Sequence, residues 1–263
     1  MTEELVGVER RGDVCVLMLR RSQKLNALST AVEVALGHAL ASEELRTSRA
    51  VVIAGEGRAF SAGADVTEFR DATPASILAY YRDTGDVYER FAALSQPTVA
   101  AIHGWCVGGG LELALAADFR VADESAVFRL PEVAIGIIPS SGGTHRLVRL
   151  LGSARAKELV FLRERVDAAE AFRLGLVTEV VPRGFALERA LELAVGLAEL
   201  PSLALSLAKQ AIDAMGEASR EAGLLIERVA YAALAQTPHA QDAVDAFVSG
   251  QGSSGDSGGG GSA

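Results

Sequence analysis

The sequence predicts an α/β fold with a helical C-terminal part, and three observations carry that prediction. Short apolar, β-branched runs at residues 14–19, 50–54 and 98–102 read as buried strands, closed by Arg20, Gly55 and the His103-Gly104 pair. Helical patterns fill the intervals between them, and after Leu147 the periodicity is almost wholly helical. A chain of 263 residues, 49% hydrophobic and 22% charged, is long and apolar enough for one large domain with an appendage, which excludes disorder as its main state.

Taken in order, residues 5–8 form a short strand ahead of 14–19. Thr30 and Glu33 have the spacing of a capping box and open a helical pattern that runs to about Leu45. The run AVVIA at 50–54 suits a strand buried on both faces. Pro74 opens a helical stretch that reaches Leu94. Pro97 then introduces the strand at 98–102, Gly104 breaks it, and from Gly109 the pattern is helical through Ala117. Residues 119–122, 126–128 and 177–181 are further short strands. The stretch GQGSSGDSGGGGSA at 250–263 is Gly/Ser-rich and cannot bury a core, so it reads as a flexible tail.

Charge and motif content narrow the function. With 25 Lys+Arg against 34 Asp+Glu the net charge is −9, which leaves no electrostatic footprint for nucleic acid. Cys15 and Cys106 are too few for a disulfide framework, and residues 1–11 lack the apolar core of a secretory signal, so a cytoplasmic protein is expected. The apolar stretch 98–117 contains His103, Glu112 and several glycines and reads as buried structure, not as a membrane span. Neither a strand-borne GxGxxG nor a P-loop occurs, and the few histidines and two distant cysteines have no metal-ligand spacing.

Three segments can carry chemistry. In VVIAGEGRAFSAGADVTEF (51–69), Gly63 and Ala64 follow a buried strand in a turn of small residues, where backbone N–H groups can approach a ligand. In TVAAIHGWCVGGGLELALAAD (98–118), Gly108, Gly109 and Gly110 stand where a strand becomes a helix. Two such turns can together form an oxyanion hole, although small residues at both also suit tight packing alone. Glu112 has no Lys or Arg three or four residues away. It is either a buried carboxylate kept for chemistry or an acid facing solvent at a helix start. Glu132, in LPEVAIGIIPSSGG, has apolar neighbours apart from Arg129 and reads either as a satisfied structural acid or as half of an acid/base pair acting on a carbonyl compound. GWCVG at 104–108 has the form of a nucleophile elbow with Cys106 in place of serine, which would make a Cys hydrolase with His145 or His239. The competing reading is a packed thiol.

Together these segments resemble the crotonase family, and within it the enoyl-CoA hydratases. RRSQKLNALS (20–29), FSAGAD (60–65), GWCVGGGLELALAADFRVA (104–122), LPEVAIGIIPSSGGTHRL (130–147) and DAAEAFRLGLVTEVVP (167–182) follow the family's order over almost the whole chain up to about Val248. The resemblance implies a spiral of repeated ββα turns over residues 1–195, a C-terminal helical region at 196–248 used for trimerisation, and the tail at 249–263. It implies a homotrimer or a dimer of trimers. It also implies an acyl-CoA thioester whose carbonyl oxygen is held by the N–H groups of Ala64 and Gly109. By family position Glu112 activates water, Glu132 delivers a proton, and Ser140 stands where a backbone N–H positions the water. Lys24, Arg58, Ala62 and Asp65 fall at coenzyme A-binding positions, whereas Thr67 replaces a lysine common in related hydratases. No metal or redox cofactor is expected, coenzyme A being part of the substrate. The expected activity is hydration of a trans-2-enoyl-CoA to the 3-hydroxyacyl-CoA, a carbon–oxygen lyase reaction. The alternatives are another crotonase-type isomerase or lyase and a catalytically idle acyl-CoA-binding protein.

Overall fold

The computed structural model describes residues 4–163 and 165–249. Strands β1 (Val6–Arg11) and β2 (Val14–Leu19) form an antiparallel hairpin. Helices α1 (Thr30–Leu40) and α2 (Glu43–Arg46) lead to β3 (Ala50–Gly55) and β4 (Ala59–Ser61). Next come α3 (Pro74–Asp83) and α4 (Val87–Ala92), then β5 (Thr98–Ile102), β6 (Trp105–Val107) and α5 (Gly109–Leu115). They are followed by β7 (Phe119–Asp123), β8 (Val127–Arg129), α6 (Gly143–Phe161), β9 (Val166–Asp167), α7 (Ala168–Leu174), β10 (Glu179–Val181) and α8 (Ala186–Glu199).

Two sheets take alternate strands. The larger has the order β1-β2-β3-β5-β7-β10, parallel from β2 onward, and the smaller has the order β4-β6-β8-β9. Three successive units, beginning at β3, β5 and β7, each place one strand in the large sheet, the next in the small sheet, and then a helix. This is the spiral of ββα turns expected from the resemblance. The short strands β4 and β6 were not anticipated. They are three residues long and too brief for a periodicity to show.

Alternation explains why the large sheet is buried on both faces. Leu17, Ile53 and Ile102 point into one core with Phe60, Phe91 and Phe128, whereas Val16, Val52 and Val99 point into a second. The second core is closed by α8, whose Ala186, Ala190, Ala194 and Ala198 recur every four residues on one face, and small residues let the helix lie close to the sheet.

Several local expectations are corrected. The capping box of Thr30 and Glu33 does not form: Ser29 is the N-cap, its hydroxyl accepting the Val32 N–H at 3.3 Å, and Glu33 turns into the core. The helical pattern after Thr30 stops at Leu40 because Ser42 recaps the chain for α2. The stretch from Pro74 toward Leu94 is likewise two helices, broken at Thr84–Asp86 around Gly85.

The chain divides into two compact units after Leu200. The second contains α9 (Ser202–Met215), α10 (Arg220–Leu234) and α11 (Pro238–Val248), and Gly223 is its only buried helical residue among those described. Residues 250–263 of the expected tail lie outside the described residues. Among the described residues no single helix is long and apolar enough to cross a membrane.

Candidate active site

The segment after β4 is laid against residues 25–28 by backbone hydrogen bonds. Ala62 N–H donates to Leu25 O at 2.9 Å, Leu28 N–H to Gly63 O at 2.8 Å and Asp65 N–H to Leu28 O at 2.8 Å. Asn26 anchors this pairing from a buried position. Its side-chain amide donates to Glu56 O and Ala59 O at 2.9 and 2.8 Å, and its Oδ1 accepts the Arg21 N–H at 2.9 Å. In extended backbone successive N–H groups point to opposite sides, so with Asp65 facing Leu28 the Ala64 N–H faces away from it. Gly63, at φ +94°, makes the turn possible: a Cβ there would come within 2.6 Å of Val107 O.

The second donor comes from the start of α5. Gly108 is the N-cap at φ +52°, and Gly109 begins the helix with an N–H that no turn of helix can satisfy. A Cβ at Gly109 would lie 3.4 Å from the Ala64 nitrogen, so the two N–H groups are neighbours. Neither donates to another described residue. Two unspent donors side by side, one of them at a helix N-terminus, are an arrangement that can hydrogen-bond an oxygen bearing negative charge.

Both glutamates lie close in the chain or in space, Glu112 one turn into the same helix and Glu132 against Gly108. Glu112, one turn into α5, is 3% exposed, so the solvent-facing alternative does not apply. Its Oε1 accepts the N–H groups of Ser141 at 2.7 Å and Gly143 at 2.9 Å, at the start of α6. Burial raises the carboxyl above the ordinary glutamate range, and the Gly143 and Ser141 N–H groups work against that rise. Glu132 opens a 3-10 turn (Glu132–Ile135) and is also buried. Its Oε1 abuts Gly108, and its Oε2 has no partner among the described residues. Burial pushes its carboxyl up to about 7, with the charge of Glu112 adding to the shift. Burial thus raises both acids: the rise at Glu112 is opposed by its N–H donors, and Glu132 is poised to hold a proton near neutral pH.

The remaining expected residues divide. Ser140 is exposed, its hydroxyl pairs with that of Tyr81, and its backbone adds to the stabilisation of Glu112. Lys24 is exposed at the end of a 3-10 turn (Ser22–Lys24), and Ala62 lies half-buried in the pairing with Leu25. Asp65 caps the next turn through Thr67 and pairs with Arg21 at 2.8 Å, so its carboxylate is already committed within the protein. Arg58 lines a cavity of about 650 Å³ with His103, Trp105 and Arg183, whose lining includes neither glutamate. Cys106 is fully buried, and burial pushes its thiol far above the ordinary range, which is the packed-thiol reading and not that of a nucleophile. Asn26 and Arg21 were missed as organisers of the Ala64 turn. Asn26 lay in a quoted motif, but only its contacts reveal the role.

The family model for enoyl-CoA hydratase/isomerase matches residues 9–252. The chain belongs to this family. It is 39% identical over 249 residues to the 2,3-dehydroadipyl-CoA hydratase of Escherichia coli, covering 94% of this chain and 96% of that protein. Among solved structures it is similar to an enoyl-CoA hydratase from Bacillus anthracis (TM-score 0.86, 37% identity, 94% of this chain and 96% of that one). It is also similar to one from Thermoplasma volcanium (TM-score 0.86, 32% identity, 93% and 98%). Family membership implies an acyl-CoA substrate and removes the Cys hydrolase reading.

Proposed function

We propose that this member of the enoyl-CoA hydratase/isomerase family is a hydratase that adds water to a trans-2-enoyl-CoA. The observation that carries the reading is the pair of buried glutamates beside two unspent N–H donors, one acid bound by N–H groups that oppose its rise and the other, without a partner on Oε2 among the described residues, inclined to keep its proton. An enzyme that only moves a double bond needs one group to shuttle a proton. Hydration needs a base for water and an acid for carbon at the same time.

The thioester oxygen sits against the Ala64 and Gly109 N–H groups. Glu112 takes a proton from water, whose oxygen bonds to Cβ as the Cα=Cβ electrons move toward the thioester. The resulting enolate oxygen is stabilised by the two donors, each worth about 3 kcal/mol on the scale of a lost oxyanion contact. Glu132 then gives its proton to Cα, the enolate electrons forming the new C–H bond, and the proton on Glu112 returns to Glu132 through solvent. Each carboxyl contributes about 10²–10⁴ in rate. Both are regenerated, and no metal or redox cofactor enters. Ser140 lies beside the water position by its backbone. Lys24, Arg58, Ala62 and Asp65 serve the coenzyme A moiety, Asp65 by holding Arg21 and the turn in place and not by direct contact. The chain acts as a trimer or paired trimers in the cytoplasm. The exposed apolar residues of α9 to α11 favour assembly, and the charge balance and unpaired cysteines favour the compartment.

The test is loss of the conjugated thioester's ultraviolet absorbance when purified protein meets crotonyl-CoA in ¹⁸O-labelled water. Rapid loss with one solvent oxygen in the product, abolished by Glu132→Gln, is expected. A shifted double bond without solvent oxygen would make the chain an isomerase, and tight binding without turnover would make it an idle acyl-CoA binder.

A further inference from the structure

A third buried carboxylate stands behind this site. Glu33, on α1, is 2% exposed, and its Oε1 accepts two phenol hydroxyls: Tyr80 of α3 at 2.6 Å and Tyr88 of α4 at 2.9 Å. Its Oε2 is buried with no partner among the described residues. Burying an acid costs several kcal/mol unless hydrogen bonds, an opposite charge or protonation offset it, and among the described residues the donors to this one are the two phenols.

The two phenols reach the site by separate routes. The Tyr88 hydroxyl lies 3.4 Å from where a Cβ on Gly109 would be, so Tyr88 forms the wall behind one oxyanion donor. Besides Glu33, the charge of Glu112 acts on both phenols. Tyr80 packs edge-on against Phe69 and against Tyr81, with ring centroids 5.4 and 4.9 Å apart. Tyr81 in turn pairs with Ser140, next to the Ser141 N–H that holds Glu112. Helix α3 has no buried residue of its own, and its half-buried Tyr80 and Tyr81 carry these ties.

We propose that Glu33 is a positioning residue of this site: one buried oxygen, shared by Tyr80 and Tyr88, locks α3 and α4 against the Gly109 end of α5 and against the loop that holds Glu112. The inference rests on the hydratase reading for its main readout, but it makes a second claim about the oxyanion position that does not depend on hydration.

The test uses the full chain with Tyr80→Phe, Tyr88→Phe, Glu33→Gln and Glu33→Leu. The first two remove one hydroxyl each, Glu33→Gln keeps an oxygen for both phenols, and Glu33→Leu keeps none. Tyr88→Phe and Glu33→Leu are expected to lower kcat for crotonyl-CoA at least tenfold while KM moves less than threefold. Glu33→Gln should recover to within threefold of the unmodified protein. The double variant Glu33→Leu with Tyr88→Phe should fall no further than the worse single change, because both cut one connection. In parallel, the near-ultraviolet enolate band of a bound 3-oxoacyl-CoA reads enolate stabilisation without requiring hydration, and it should weaken in Tyr88→Phe and Glu33→Leu.

If Glu33→Leu does not fold, the Tyr88→Phe and Glu33→Gln pair decides. A lowered Tm with unchanged kcat and enolate band would overturn the proposal and leave Glu33 a purely structural acid. An unmodified protein that forms the enolate but does not hydrate defeats the hydratase reading, and the enolate band of the variants then decides Glu33. Absence of any enolate band in the unmodified protein would overturn both.

Discussion

Gly108 and Glu132 keep their places only because Gly108 has no side chain: a Cβ there would stand 2.7 Å from Glu132 Oε1. The same residue holds φ at +52°, a region that disfavours any other side chain. Gly108→Ala therefore has to twist the turn that presents Gly109 or displace the acid. The expected outcome is a loss of at least 10²-fold in crotonyl-CoA hydration together with a Tm lowered by several degrees. A variant with full kcat would show that neither the turn nor the acid is held as tightly as the geometry requires.

The raised pKa of Glu132 has consequences for both rate and stability. Its neutral form is favoured in the folded state, so the stability it contributes is complete below about pH 4.5 and is lost as pH rises through about 7. Glu132→Gln does not titrate. Between pH 5 and 8 the unmodified protein should lose on the order of 3 kcal/mol relative to that variant, measured by denaturant unfolding at each pH. In activity the alkaline limb of kcat/KM should fall near pH 7 as the acid loses its proton. The acid limb should stand above the ordinary glutamate range because burial also raises Glu112. Since the two acids interact, both limbs belong to the pair.

Glu112→Gln separates holding from chemistry. The amide oxygen can still accept the Ser141 and Gly143 N–H groups, so the loop and the start of α6 stay in place. What is lost is the base proposed for water. The expected result is a fall of about 10²–10⁴ in kcat, with an unchanged Kd for coenzyme A product and an unchanged Tm. A Tm lowered as much as in a core truncation would mean that the carboxylate's charge, not its shape, holds the loop.

How far the sequence could be read depends on the length and type of each signal. The runs at 14–19, 50–54 and 98–102 are buried strands because an apolar β-branched run between charges or glycines has few other uses, and each appears with its end within a residue of the expected place. Glu112 and Glu132 stood out because an acid among apolar neighbours has no local partner to explain it. Glu33 is misleading in the sequence for the opposite reason. Three residues after a threonine it fits a local rule, and its true partners, Tyr80 and Tyr88, are 47 and 55 residues away. Asp65 was legible as a motif residue, but its commitment to Arg21 and Thr67 depends on the close approach of residues 25–28 and 62–65, which no periodicity records.

The second unit makes a prediction of its own. On α10, Leu225 and Val229 are one turn apart and expose 62% and 60% of their surface, while Tyr231 and, on α11, Phe247 expose 75% and 79%. Side chains four apart share a helix face, so Leu225 and Val229 form an apolar ridge that a lone chain leaves in water. Burying such a ridge against other copies gains about 25 cal/mol for each Å² covered, which favours the trimeric assembly proposed above. Light scattering coupled to size exclusion should give about three or six times the chain mass of 27.4 kDa. Leu225→Lys with Val229→Lys places two like charges on the ridge and should shift that mass toward a single chain. A mass of one chain for the unmodified protein would sink the assembly, and a trimer unchanged by both lysines would move its interface off α10.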